Sequence, residues 1–314
     1  MRICEPAGER CPLPLSLYLK LAAGYWSERP IALPKAKGHN RLMSNQVAAV
    51  GLSQQSSVPY SAAVDELLKG FSSNPWFLNE YWPLNRERVG MIVSDIEKNC
   101  PKGASVFEVG CGTGYIAFLL GRMGYRVTGT DAWHPPEAAQ FFEQAGVEFA
   151  ASNLNHLDPF PGWNTQFDAI VLGEVIEHIL NSPLQLVKRL ASLLKPGGTM
   201  VVTTPNSCTA ANALRMVLGT YSLWGTEDFC REPKIADGKI ISNGEIHYRE
   251  YSPAELRKMI SAAGLIPEPS RFLPCGVYQS QPLIKRAMKR ILGPLLHTRL
   301  LGAGQYVVAH KGSS

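Results

Sequence analysis

The chain has 314 residues, 45% of them hydrophobic and 18% charged, with a formal net charge of +5 and a sequence pI near 8.8. That is apolar material enough for one large α/β domain with extensions, and no apolar run approaches the length of a transmembrane helix. The mild positive charge permits contact with phosphate or a membrane surface without requiring either. Seven dispersed cysteines with no C-x-x-C pair point to free thiols in a reducing, cytoplasmic setting.

In chain order, residues 1–58 are rich in Pro, Gly, Ser and Gln. They read as a poorly ordered N-terminal extension, with at most a short helix near 15–23. Residues 59–104 read as a helical cap. It begins with an amphipathic helix over Ser61–Phe71 and ends with a helix over Arg86–Asn99. Between them Trp76, Phe77, Tyr81 and Trp82 either line a pocket or staple the cap onto the sheet.

From 105 to 314 the pattern alternates strands with helices, with an insertion around 207–245. Ser105–Val109 reads as a buried strand, Gly110, Gly112 and Gly114 as a turn, and Tyr115–Met123 as a helix with Ile116, Leu119, Leu120 and Met123 on one face. A second strand, Val127–Thr130, ends at Asp131. A strand, a glycine loop, a helix and a second strand ending in an acid hold a nucleoside-like ligand across the carboxyl ends of the strands. The acid accepts from ribose hydroxyls. Glu108, ahead of the loop, would repel a pyrophosphate and suits a ligand bearing an ammonium group.

Further strands are expected at Val147–Ala150, Phe167–Gly173, Thr199–Thr204, Arg271–Val277 and Gln305–Ala309. Helices are expected at 135–145, Leu184–Leu194, Ala210–Leu218 and from Pro253 to Ala263 behind a Ser252 cap. Lys195–Gly198 reads as a turn, and 224–244 as a long irregular insertion. Leu283–Leu292 is a basic amphipathic stretch. It suits a membrane surface or an anionic substrate, or a surface helix docking one apolar face.

After the fourth strand come Glu174, Glu177 and His178, at i, i+3 and i+4 on one expected helical face. A second histidine, His247, lies in E-I-H-Y-R-E-Y. Two carboxylates and two imidazoles suit a divalent cation, Mg, Mn or Zn. A metal can lower the pKa of an acceptor hydroxyl, and His178 or His247 can take its proton as a general base.

The run E-V-G-C-G-T-G (Glu108–Gly114) resembles motif I of the class I S-adenosylmethionine-dependent methyltransferases, and the resemblance extends from about Pro75 to Gly264. E-V-I-E-H after the fourth strand, T-P-N after the fifth, and H-Y-R-E-Y-S-P-A-E-L resemble the ubiquinone-biosynthesis O-methyltransferase group. The E-x-x-E-H run with its downstream histidine is also similar to the metal site of small-RNA 3′-terminal 2′-O-methyltransferases. The resemblance implies a Rossmann-like, doubly wound, seven-stranded sheet whose last strand is antiparallel, in one domain with an N-terminal extension. It implies S-adenosylmethionine held by Glu108, Gly110, Cys111, Gly112, Gly114, Asp131, Ala132 and Gly173, with Asn153 and Leu154 near the adenine. Asn153 departs from the acid that the family usually places there, but its amide oxygen can still accept. Metal ligation by Glu174, Glu177, His178 and His247 is implied by the same similarity. The implied reaction is methylation of a hydroxyl on a small-molecule, lipid-linked or saccharide acceptor, in the cytoplasm or at the inner face of a membrane. RNA 2′-O-methylation and a non-catalytic, methyltransferase-like binding protein are the competing readings.

Overall fold

The computed structural model describes residues 57–132, 136–180, 182–220, 235–236, 239–240, 247–274 and 293–313. The chain divides into two units, 1–51 and 52–314, and the α/β fold belongs to the second. The expected N-terminal extension up to residue 56, most of the irregular stretch 224–244 and the basic stretch 283–292 lie outside the described residues.

Two helices precede the sheet, α1 (Tyr60–Gly70) and α2 (Trp82–Asn99), with a π-helical turn at Phe77–Tyr81 leading into α2. The chain then alternates through β1 (Ser105–Val109), α3 (Tyr115–Arg122), β2 (Arg126–Asp131), α4 (Pro136–Ala145), β3 (Glu148–Ala151), β4 (Phe167–Gly173), α5 (Pro183–Leu193) and β5 (Leu194–Pro205). After α6 (Ala210–Val217) come a small antiparallel pair, β6 (Ile235–Ala236) and β7 (Lys239–Ile240), and then α7 (Pro253–Ala262). β8 (Leu265–Pro267), β9 (Arg271–Leu273) and β10 (Gly304–Lys311) finish the domain. Ser252 starts α7 with a capping box, its hydroxyl accepting from the N–H of Glu255 while the Glu255 carboxylate reaches back to the Ser252 N–H.

The sheet order is β3-β2-β1-β4-β5-β10-β8, with β9 also on β10. β1 to β5 are parallel, and β10 runs antiparallel to β5. The seven expected positions are there, but the outermost is broken in two. β8 pairs with the end of β10 near Lys311 and β9 with the end near Gly304. Pro267 and Pro269 lie at the break, and proline cannot donate to a sheet ladder. The expected turn at Lys195–Gly198 lies inside β5. The β4–β5 register jumps there from Phe167↔Leu194 to Ala169↔Thr199, so these residues bulge out of the strand.

The sheet is buried on both faces, as a near-continuous apolar run such as β1 requires. One layer packs Val106, Ala169 and Val201 under α1 to α4, through Leu67, Ile92, Ile96, Leu119 and Phe142. The other packs Phe107, Ile170 and Val202 against α5 and α7, through Leu186, Leu190, Leu256 and Ile260. Doubly wound sheets of this kind bind ligands at the carboxyl ends of their strands, where the order reverses. Here that point lies between β1 and β4, with the ends of β2 and β5 on either side.

Candidate active site

The glycine turn after β1 is a folded loop with three different glycines. The N–H groups of Gly110 and Cys111 donate to the Thr130 carbonyl at 2.8 and 2.9 Å, which fastens the loop to β2. All three glycines have positive φ, 71°, 52° and 74°. A Cβ at Gly110 would meet Val175 at 2.4 Å, and one at Gly114 would meet Phe142 at 1.8 Å. These two allow close packing within the protein. A Cβ at Gly112 would meet nothing within 4 Å, so only there does the loop leave open space for a ligand. Asp131 closes the loop from β2, its carboxylate accepting from the N–H of Gly112 at 2.9 Å and of Ala132 at 2.7 Å.

Glu108 is 4% exposed near the end of β1, and its Oε2 has no hydrogen-bond partner. Burial pushes its carboxyl up to about 8, against the pull of the Ala117 N–H; the Asp131 charge adds to the rise and Arg88 offsets part of it. A cationic ligand would satisfy the orphaned oxygen. The open space at Gly112, the orphaned Glu108 and the Asp131 carboxylate together fit a nucleoside ligand that carries an ammonium group. The Cys111 thiol is also raised, mainly by burial, and so is a packing group of the loop.

Across the Gly110–Val175 contact lies the acid–histidine segment, and its geometry differs from the expected helical face. Glu174 has φ 55°, a left-handed conformation that costs a non-glycine residue free energy, and Ile176–His178 form a single 3₁₀ turn. The two acids consequently point to different partners. Glu174 accepts from the Thr203 hydroxyl at 2.8 Å and pairs with Arg88 at 3.4 Å. Glu177 accepts from the Thr204 hydroxyl at 2.8 Å through Oε2, while its Oε1 is buried without a hydrogen-bond partner. Burial first, and then the charge of Glu174, hold the Glu177 carboxyl well above the ordinary carboxylate range.

His247 reaches this turn from the segment that leads into α7. The N–H groups of Tyr248 and Arg249 donate to the Glu177 carbonyl at 2.8 and 3.3 Å. The His178 and His247 rings meet edge to face, centroids 4.9 Å apart, and Nδ1 of His247 lies 3.1 Å from Glu250. One ligand atom each from Glu177, His178 and His247 fall within 4.8 Å of one another. Glu174 stands outside this group, so the four residues expected to ligate divide into three and one. Two imidazoles with one buried carboxylate fit Zn or Mn better than Mg, which prefers oxygen donors. The buried Oε1 of Glu177, which has no hydrogen-bond partner and lies 3.9 Å from Nε2 of His178, is the observation that the set fits a cation.

Sequence reasoning passed over two residues. Arg88, on α2, donates to Asn85 at 2.7 Å and to the Tyr115 hydroxyl at 3.2 Å, besides pairing with Glu174. Burial opposes its charge, yet Tyr115, Glu174, Tyr81 and Glu177 hold its pKa above the ordinary value. The signal was its place one helical turn before Ile92 and two before Ile96, an arginine within an apolar stripe. Glu250 is the other. Its signal was the H-x-x-E spacing, which lets a carboxylate fix one nitrogen of an imidazole.

The four aromatics of the cap separate. Phe77 and Trp82 are buried in the core, and Trp76 is half exposed. Only Tyr81 faces the site, its hydroxyl donating to Tyr115 at 3.2 Å. Asn153 follows β3 beside Asp131, since the Ser152 N–H bonds the Asp131 carbonyl at 2.8 Å. Its side-chain oxygen accepts from the Asn155 N–H at 3.0 Å. Leu154 is partly buried against the core on the α5 side. Gly173 ends β4, and a Cβ there would lie 3.5 Å from the Thr203 hydroxyl and 3.9 Å from Arg88. A separate cavity of about 620 Å³ between α1, α2 and Arg271 is lined in part by Trp82 and contains none of the residues expected to hold the donor or a metal.

A methyltransferase-domain family profile matches residues 81–267. A protein named ubiquinone biosynthesis O-methyltransferase from Xanthomonas axonopodis pv. citri (strain 306) is 31% identical over 187 residues, which is 58% of this chain and 70% of that protein. The protein of the same name from Dinoroseobacter shibae is 30% identical over 169 residues, 53% of this chain and 61% of that protein. Among solved structures, the Burkholderia thailandensis 1,6-didemethyltoxoflavin-N1-methyltransferase with bound 1,6-didemethyltoxoflavin and S-adenosylhomocysteine is similar at a TM-score of 0.46 and 17% identity, over 82% of this chain and 94% of that one.

Proposed function

The chain belongs to the methyltransferase-domain family and is a class I S-adenosylmethionine-dependent methyltransferase, and on that premise we propose that it methylates a hydroxyl oxygen of a small or lipid-linked acceptor. The observation that carries this reading is the convergence of Glu177, His178 and His247 at the strand ends, one contact away from the glycine loop. Transfer of the methyl group from the sulfonium, with the neutral thioether as leaving group, needs little beyond in-line alignment. A hydroxyl acceptor, however, has to lose its proton, and this cluster is built to accept or acidify one.

On the donor side, we assign Glu108 to the ammonium of the methionine moiety and Asp131 to the ribose. Arg88 is the cation within reach of the same moiety's carboxylate. Gly112 gives the ligand its space, and Asn153 with Leu154 borders the base. On the acceptor side, Glu177, His178 and His247 would hold a divalent cation, which would supply acidification of the bound hydroxyl. Without a cation the same imidazoles would instead be the bases for that hydroxyl, with Glu250 fixing Nδ1 of His247. Arg88 and Thr203 keep Glu174 turned away from the cluster. The 31% and 30% identical relatives named as ubiquinone biosynthesis O-methyltransferases support an oxygen acceptor.

The test is turnover of radiolabelled donor against pools of phenols, prenylated phenols and saccharides, with wild type and His247→Asn, before and after dialysis against a chelator. Labelled product bearing an O-methyl group, lost in His247→Asn, supports the proposal. Label that accumulates only on nitrogen or carbon acceptors, or turnover indifferent to His247, contradicts it.

A further inference from the structure

The cavity of about 620 Å³ beside α1 and α2 has the volume of a small-molecule site, and the methyl-transfer chemistry uses none of the residues that line it. One wall comes from α1, where Tyr60, Val64 and Asp65 share a helical face. The other comes from α2, through Trp82, Arg86 and Gly90 at i, i+4 and i+8, with Met91 beside them.

Two features show a cavity shaped for a ligand. Gly90 lies in the middle of α2, where glycine weakens a helix relative to alanine. Packing does not demand it. Outside its own helix, a Cβ there would meet only the Tyr60 hydroxyl, at 3.5 Å, which is ordinary contact. The missing side chain therefore serves the open space. The second feature is that hydroxyl. Tyr60 is half-buried, yet among the described residues its hydroxyl has no hydrogen-bond partner. A polar group so placed is satisfied by what enters the cavity.

The lining also selects the class of ligand. Tyr60 and Trp82 offer aromatic surface, and Val64 and Met91 apolar contact, with the Met91 thioether suited to a ring. Four charged side chains line the cavity, and two of them are already paired, Glu87 with His297 and Arg271 with Asp95. Asp65 and Arg86 form no ion pair among the described residues. One uncommitted charge of each sign, one from each wall, complements a ligand that carries both. An aromatic acid or an aromatic amine alone would leave one of the two without its partner, and a peptide terminus supplies only one of the charges.

We propose that this cavity binds a free aromatic amino acid, its ring against Tyr60 and Trp82 over Gly90, its ammonium on Asp65 and its carboxylate on Arg86. The site is separate from the one that holds the methionine moiety of the donor, and the proposal stands independently of which acceptor is methylated.

Isothermal titration calorimetry of the full chain tests it, with S-adenosylhomocysteine held at saturation so that the methionine moiety's own site is filled. The probes are L-phenylalanine, L-tryptophan, 3-phenylpropionate and 2-phenylethylamine. The amino acids should bind, and each single-charge congener about tenfold more weakly or worse. Asp65→Asn should weaken L-phenylalanine by about tenfold while leaving 3-phenylpropionate unchanged, and Arg86→Gln should do the same while sparing 2-phenylethylamine. Gly90→Leu, which fills the space with a good helix former, should abolish binding and melt no lower than wild type. If Gly90→Leu melts lower, the two charge variants decide, since both positions are exposed. No binding of either amino acid by the wild type, congeners that bind as tightly as the amino acids, or affinities unmoved by Asp65→Asn and Arg86→Gln overturn the proposal.

Discussion

Assigning Glu108 to the donor's ammonium group predicts that donor binding is a proton-linked event. Its carboxyl sits at about 8 because burial disfavours the charged form, yet an ammonium group needs that form. At pH 7 ionising it costs about 1.4 kcal/mol, one pKa unit, and at pH 6 about 2.7 kcal/mol. Donor affinity should therefore rise roughly twentyfold between pH 6 and 7.5; above that range the donor's own α-amino group begins to lose its proton. At pH 7 binding should release close to one proton. Isothermal titration calorimetry in two buffers of different ionisation enthalpy measures both quantities. Glu108→Gln should bind more weakly at pH 7.5 and should lose the pH dependence and the proton release together. An affinity flat across this range in the wild type, with no proton released, would refute the assignment of Glu108 to the ammonium.

The same carboxyl predicts that the ligand-free protein loses stability as pH rises. Its folded pKa lies above its unfolded value, so its contribution is complete below about 4.5 and disappears as pH climbs to about 8; denaturant midpoints of wild type and Glu108→Gln at pH 5 and 8 check this. Gly112→Ala should cost about 1–2 kcal/mol in backbone strain while weakening donor binding severely. Gly114→Ala adds a collision with Phe142 and should cost more than about 3 kcal/mol, a contrast visible in chemical denaturation. Ser252→Ala should remove about 1 kcal/mol through loss of the capping box on α7, without changing donor affinity. Dialysis against a chelator should lower turnover and Zn or Mn should restore it, whereas unchanged turnover with an intact requirement for His247 would leave the imidazoles acting as bases alone.

Most of the sheet was readable in the sequence because buried parallel strands are apolar on both faces and each βα turn is marked by glycine or proline. Phe167–Gly173 was located to the residue in this way. The interrupted edge strand was missed at Leu265–Pro267 because three residues show no periodicity. β5 starts at Leu194, ahead of the expected Thr199, because Pro196, Gly197 and Gly198 look like a turn even inside a bulge. At the site, the glycine loop is legible as a nucleoside motif, but spacing does not distinguish a glycine beside open space from two packed against Val175 and Phe142. The expected helical face of Glu174, Glu177 and His178 assumed regular helix, and the left-handed Glu174 redirects one acid towards Arg88. Arg88 and Glu250 depend on contacts across long stretches of chain or on a short turn, which composition does not reveal.

The acceptor side is tested most directly by the product. With a prenylated or simple phenol as acceptor and labelled S-adenosylmethionine as donor, the wild type should yield an O-methyl ether, and His247→Asn should retain donor binding while losing about 10²–10⁴-fold in kcat. O-methylation at an undiminished rate by His247→Asn, or a donor-bound enzyme that methylates no hydroxyl, would contradict the role given to Glu177, His178 and His247.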